Sequence, residues 1–401
     1  MPLAGSVALV AVAGSLGAGV ALGLHQARTP AEQASSGDFV RWVEDEVEGT
    51  VESVTAAAAD RQLRRHGLDM LGGNASLSGV PFESLSLHLS RSSGPTADDV
   101  SAGVFRARAL LEYQLKVDDV RVGRQAAAVF RLERGSWRLV RVAPSGLDLW
   151  DHEAVRSIRT GRVLVLGRAG DQRLAGLSRT AAAARADVDS FWTSRWPGTA
   201  VVVLPSDAQL LNPLLGVRRI GDDQVAVTRW ETGRDGPVIR VLLNPAFYDQ
   251  MSPLSREIVL RHEITHVAQD ALPRAGVPTW LTEGLAEYVG YRGSGVPSDV
   301  IGARLFSEVR AGETPGALPA DSDFGFGRSQ AERRLAYESG WSFQMMLADR
   351  YGEDTLVPFY TRVSTGDGTT EQRLRRAASR VVGVQFERLV EDWQDWLEGH
   401  A

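Results

Sequence analysis

Hydrophobic and polar positions along the chain change period several times, and each change marks a structural boundary. Leu3 to Leu24 is apolar without a charge, long enough as a helix to span a bilayer. The polar stretch "RTPAEQASSGD" follows. Phe39, Val43, Val47, Val51 and Val54 then recur at helical spacing, predicting one buried face of a helix that ends near Gly67. Beyond it the period becomes two. Leu85, Leu87 and Leu89 fall on one side of a strand, and Phe105, Ala107, Ala109, Leu111, Tyr113 and Leu115 on one side of another. "AVFRLERGSWRLVRV" reads as a hairpin turning at Arg134, Gly135 and Ser136.

A second unit begins after "APSGLDLWDHE". "RVLVLG" and "AVVVLP" predict strands, with a helix from Gln172 to Trp196 between them. "DQVAVTRW" and "PVIRVLLNP" predict two more strands. A helix is expected over Leu254 to Leu272, capped by Ser252, with Pro253 in its first turn and Pro273 beyond its end. A second helix is expected from about Pro278 to Val289, and the remainder reads as mostly helical, ending in "FERLVEDWQDWLEGH". The fold class is α+β. The domain division is residues 1–30 as a transmembrane anchor or signal segment, 38–150 as an α+β accessory domain, and 160–401 as a second, larger domain.

Composition narrows the function classes. The chain of 401 residues is 43% hydrophobic and 23% charged, ordinary for a folded protein, and its net charge of -6 gives no basic field for nucleic acid. Cysteine is absent, which excludes disulfides, thiolate metal sites, cysteine nucleophiles and an anchor on a lipidated cysteine. The lone lysine, Lys116, has no glycine before it, so there is no Walker-type phosphate loop, and no G-x-S-x-G is present. The segment ahead of Leu3 is not basic, and "LGLHQARTPA" offers no clear small-x-small cleavage site. The expectation is therefore a single-pass protein of the cell membrane with residues 160–401 extracytoplasmic. Cleavage of the segment would make it secreted.

Candidate chemistry is concentrated in "HEITHVAQDALPRAGVPTWLTEGLAEY", His262 to Tyr288. Residues four apart lie one turn apart on one helix face, so His262 and His266 can converge on one ion. Glu263 projects beside such an ion, where it can act as general base toward a metal-activated water. This H-E-x-x-H pattern predicts a Zn2+ cofactor. A third ligand must come from elsewhere, and Glu283 is the candidate. Glu287, one turn on, is either part of a solvated acidic face or a hydrogen-bond acceptor that fixes a ligand histidine's tautomer.

With those residues in view, the stretch resembles the gluzincin metallopeptidases, the peptidase MA-like group related to the M1 aminopeptidases. That family pairs an H-E-x-x-H helix with a helix of the form W-L-x-E-G-x-A-x-Y. Here the second helix reads Trp280-Leu281-Thr282-Glu283-Gly284-Leu285-Ala286-Glu287-Tyr288. The resemblance implies zinc held by His262, His266 and Glu283, with Glu263 as base. "LAYESGWSFQMMLADRYG" is similar to the family's Y-x-x-G stretch, which implies Tyr337 as oxyanion donor, with Gly340 three residues on. A tyrosine packing at a helix start is the other reading of Tyr337. "PVIRVLLNP" is similar to the family's edge strand, which implies pairing with an extended peptide or protein substrate. The loop from His266 to Glu283 is shorter than in typical M1 enzymes, and the G-x-M-E-N motif that holds a free amine is absent. The resemblance therefore does not reach aminopeptidase specificity, nor does it extend to the first domain. That domain, a helix followed by an antiparallel meander, is similar to the nuclear transport factor 2 (NTF2-like) folds. Two rival functions stand beside a zinc metallopeptidase: a non-catalytic zinc- or peptide-binding protein on a peptidase fold, and a metal-dependent hydrolase of a non-peptide bond.

Overall fold

In the computed structural model, residues 79–89, 101–133, 136–143, 146–218, 224–233, 236–272, 276–325 and 327–401 are described. The expected anchor at Leu3 to Leu24 and the helix from Phe39 to Gly67 lie outside them. Among the described residues no helix is long and apolar enough to cross a membrane. The architecture is mixed α/β, with two small sheets and a helical C-terminal half.

The first sheet is the antiparallel meander that the alternation predicted. Its strands are β1 (Phe82–Leu89), β2 (Val104–Leu115), β3 (Val122–Glu133) and β4 (Ser136–Ala143), in the order β1-β2-β3-β4. Phe105, Ala107, Ala109, Leu111, Tyr113 and Leu115 of β2 are all buried. Phe105 stacks on its cross-strand partner Phe130, with ring centroids 5.7 Å apart. Ser136, expected in the turn, instead pairs with Glu133 and belongs to β4.

The second sheet has the order β5-β6-β7-β9-β8, from β5 (Val155–Thr160), β6 (Val163–Arg168), β7 (Ala200–Leu204), β8 (Ala226–Thr232) and β9 (Pro237–Leu243). β6, β7 and β9 are parallel, while β5 and β8 flank them antiparallel. Helix α1 (Leu174–Phe191) connects β6 to β7. It stops short of the expected Trp196, because Trp192 turns out of the helix at ψ 100 and packs edge-on against Tyr360. Strand β5 was not read from the sequence. "VRSIRT" buries little beyond Val155 and forms by hairpin pairing to β6 around Gly161, whose φ of 59 suits a tight turn. β9 is not an edge strand. It lies between β7 and β8, and β8 takes the edge.

Alternation along the parallel strands separates two apolar layers. Val163, Val165, Val202 and Val241 face the helices. Leu164, Leu166, Val203 and Leu242 join Phe82, Leu111 and Trp150 of the first unit in a second cluster. Two buried ion pairs cross the same layer. Arg240 of β9 meets Asp118 at 2.5 Å, and Asp148 holds Arg124 at 2.8 Å while lying 3.6 Å from Arg229 of β8.

The helical half comprises α2 (Pro253–Gln269), α3 (Thr279–Tyr291), α4 (Ala303–Arg310), α5 (Gln330–Tyr351), α6 (Leu356–Thr365), α7 (Thr370–Ala377) and α8 (Phe386–His400). In α8, Leu389, Trp393, Trp396 and Leu397 form the buried stripe, and the Trp393 indole donates to Ser342 at 2.9 Å.

Candidate metal centre

Helix α2 begins where its sequence dictates. Ser252 accepts a hydrogen bond from the Ser255 amide at 3.1 Å, and Pro253 occupies the first turn. It ends at Gln269, three residues before the expected Leu272. Every residue from Ile258 to Gln269 is buried, so this helix is covered all round and is not the one-sided helix of a surface. Burying Arg261, His262, Glu263, His266 and Gln269 together demands partners for each polar group. Arg261 finds them at the end of α3, donating to the Arg292 carbonyl at 2.7 Å.

His262, His266 and Glu283 come together as a buried group. The two Nε2 atoms are 3.1 Å apart, and Glu283 Oε2 lies 3.5 Å from His262 Nε2 and 3.3 Å from His266 Nε2. Four donors around an ion with bonds of roughly 2.05 Å stand about 3.3 Å apart in a tetrahedron, so three corners of one are in place. Tautomers follow from the opposite ring edges. His262 Nδ1 faces Glu287 Oε2 at 3.0 Å and donates to it. His266 Nδ1 faces Gln269 Oε1 at 2.7 Å, and that amide is oriented by its own donation to the Thr282 carbonyl at 2.9 Å. With both Nδ1 atoms donating outward, the two Nε2 atoms are turned to each other and to Glu283 Oε2, and each presents a lone pair there once its proton has left. That carboxylate oxygen is buried with no hydrogen-bond partner. Two lone pairs and an orphaned anionic oxygen at this spacing fit a cation, and the nitrogen–nitrogen–oxygen donor set suits zinc.

Electrostatics agree. Burial alone would drive protons off His262. The nearby carboxylate of Glu283, the hydrogen bond to Glu287, and the charges of Glu287 and Glu263 outweigh it and raise the imidazole to about 10. Burial likewise opposes ionisation of Glu283, yet the charge of His266 and the closeness of both imidazoles bring it down to about 2. The pocket attracts positive charge, as a proton or as a metal.

Glu263 is buried beside the group, and its Oε2 accepts a hydrogen bond of 2.6 Å from the hydroxyl of Thr228 on β8. Tyr337, on α5, is buried with its ring edge-on to Phe324 at 5.1 Å. Burial pushes its hydroxyl well above the ordinary tyrosine value, and the charges of Glu283, Glu287 and Glu263 act in the same direction. Tyr337 thus lies in the field of the three carboxylates. Gln269 and Thr228 were not singled out from the sequence. Gln269 had a signal, being one turn beyond His266 on the same helix, whereas Thr228 had none.

No family model matches the chain, and no curated protein does. Among solved structures it is similar to native yeast LTA4 hydrolase, at 14% identity and a TM-score of 0.38, over 61% of this chain and 39% of that one. The chain therefore spans well under half the length of that structure.

Proposed function

We propose that the chain is a zinc-dependent metallopeptidase in which His262, His266 and Glu283 hold the ion, Glu263 is the general base and Tyr337 donates to the oxyanion. The observation that carries this reading is the convergence of two imidazole lone pairs on a carboxylate oxygen that has no other partner. Zinc, when bound, supplies a Lewis acid that acidifies water and polarises a carbonyl. Glu263 follows a ligand directly in the chain, so its carboxylate can take up the proton of the attacking water and pass it to the leaving amine. Tyr337 is kept protonated by burial and by its acidic neighbours, and is therefore a donor where negative charge develops. Glu287 and Gln269 lock the two imidazoles in the orientation that presents Nε2.

The substrate in this reading is a peptide or protein, and no role for nucleic acid is invoked. Leu3 to Leu24 anchors the chain in the cell membrane, so the protein is expected to stay with membranes through carbonate washing. A native N-terminus near Gln26 to Ala34 would overturn the anchor.

Metal analysis with two substitutions tests the site. Glu263→Gln should leave zinc near one per chain while hydrolysis of a peptide library falls by orders of magnitude. Glu283→Gln should lower zinc affinity and activity together. Tight zinc binding by a wild type that cleaves nothing in the library would favour the binding-protein reading. Full activity of Glu263→Gln would remove the assigned base.

A further inference from the structure

We infer that Thr228 is a positioning residue for the general base, fixing the carboxylate of Glu263 from strand β8. The inference rests on the reading of Glu263 as base. Thr228 and Glu263 are 3% and 1% exposed, and the hydroxyl donates to Glu263 Oε2 at 2.6 Å. A glutamate on a helix can swing about three side-chain bonds, whereas a threonine on a strand is stiff at χ1. The hydrogen bond ties the mobile group to the stiff one. It occupies one oxygen and thereby sets where the other one faces. The donor is neutral, so it orients the carboxylate without supplying a cation that would quench its basicity.

The strand holding Thr228 is itself fixed from the opposite face. Thr228 pairs with Val241 inside a ladder running from Ala226↔Leu243 to Thr232↔Pro237. Its neighbour Arg229 points the other way, as period-two geometry requires. Arg229 donates to the Leu147 carbonyl at 2.6 Å and to the Leu214 carbonyl, and lies 3.6 Å from Asp148. Asp148 in turn is bound by Arg124 and Tyr113 of the meander. The first unit thus reaches the base through a single strand, with Arg229 and Thr228 on its two faces.

Thr228→Val removes the donor at nearly constant volume, and Thr228→Ser keeps the donor while losing the methyl group. The full chain is used throughout. In the metal-free protein, the infrared carboxylate band of Glu263, identified by subtracting the Glu263→Gln spectrum, should shift in Thr228→Val and return in Thr228→Ser. In the zinc-loaded protein, kcat on internally quenched random hexapeptides should fall by about 10- to 100-fold in Thr228→Val, with KM and zinc content unchanged. Thr228→Ser should recover most of that loss. An unshifted band, or a kcat loss in Thr228→Ser equal to that in Thr228→Val, would overturn the assignment. So would a Thr228→Val protein that loses fold and zinc together while Thr228→Ser behaves the same way, since Thr228 would then be a packing residue. The infrared arm does not depend on turnover. Failure of the base assignment, read from an active Glu263→Gln, is therefore distinguishable from failure of the hydrogen bond.

Discussion

Gly284 and Gly340 meet backbone to backbone where α3 crosses α5. A Cβ on Gly284 would lie 2.3 Å from the Gly340 carbonyl oxygen, and one on Gly340 would lie 2.7 Å from the Trp280 carbonyl oxygen. Glu283 precedes one of these glycines and Tyr337 lies one turn before the other, so the crossing fixes the distance between Glu283 and Tyr337. Backbone cannot yield as a flexible side chain can. Gly284→Ala is therefore expected to push the helices apart at a cost of at least about 1–3 kcal/mol. A lower melting temperature together with weaker zinc binding would be the signature. A Gly284→Ala protein with both unchanged would refute the close packing.

In the proposed zinc site, the partners behind the two imidazoles should matter for the metal without touching it. Glu287→Ala leaves His262 Nδ1 without its acceptor, and Gln269→Ala does the same for His266. Each is expected to weaken zinc by about 10- to 100-fold, the usual effect of losing such a partner. Competition against a chromophoric chelator measures it. The double substitution should depart from the sum of the two losses in free energy, because the two rings are in contact and face the same Glu283 oxygen.

Much of this site could be read before the fold was known, for a physical reason. The spacings His262–His266 and Glu283–Glu287 lie within single helices, where sequence distance fixes geometry. The meander was legible for the same reason, since every second residue of β2 from Phe105 to Leu115 is apolar and buried. Contacts between elements were not legible. Thr228 reaches Glu263 across the edge of a sheet, and nothing in "AVTRWET" marks it as different from any strand threonine. Position within the sheet was also hidden. β9 is more continuously apolar than β8, as befits its interior place, but which strand pairs on its far side is settled only by tertiary contacts. β5 escaped because an edge strand held by one ladder needs little apolar pattern.

Asp151 should make stability depend on pH near neutrality. Burial raises its carboxyl, and repulsion from Asp148 adds to this, so that it titrates at about 7 instead of 3.8. A group with a raised folded value binds its proton more tightly in the folded state. Its favourable contribution is complete below 3.8, declines between 3.8 and about 7, and is gone above that range. Asp151 Oδ2 accepts from the Asp148 amide at 3.2 Å, a role an asparagine oxygen can keep. Asp151→Asn is therefore expected to raise the melting temperature at pH 8 and to change it little at pH 4. Equal shifts at both pH values would mean that the carboxyl is not held protonated.

The last prediction concerns how firmly the two units are joined. Arg240 of β9 and Asp118 from the β2–β3 turn form a two-pronged pair at 2.8 and 2.5 Å, with side chains 5% and 8% exposed. Removing the anionic partner of a buried pair costs about 3–5 kcal/mol, because the remaining charge has been taken out of water and loses its counter-charge. Asp118→Ala is thus expected to destabilise the full chain far more than a surface ion-pair variant such as Arg375→Ala, whose side chain is 54% exposed. The same substitution separates two architectures. If the sheets unfold as one body through the shared layer of Leu164, Val203, Leu242 and Trp150, a single transition should move to lower temperature, and zinc should be lost in that transition. If the meander is an independent unit, Asp118→Ala should split the melt in two, with zinc released only in the second step. Calorimetry with a zinc-sensitive dye in the cell reads both. The continuous apolar layer and the two ion-pair systems that cross it favour the single transition.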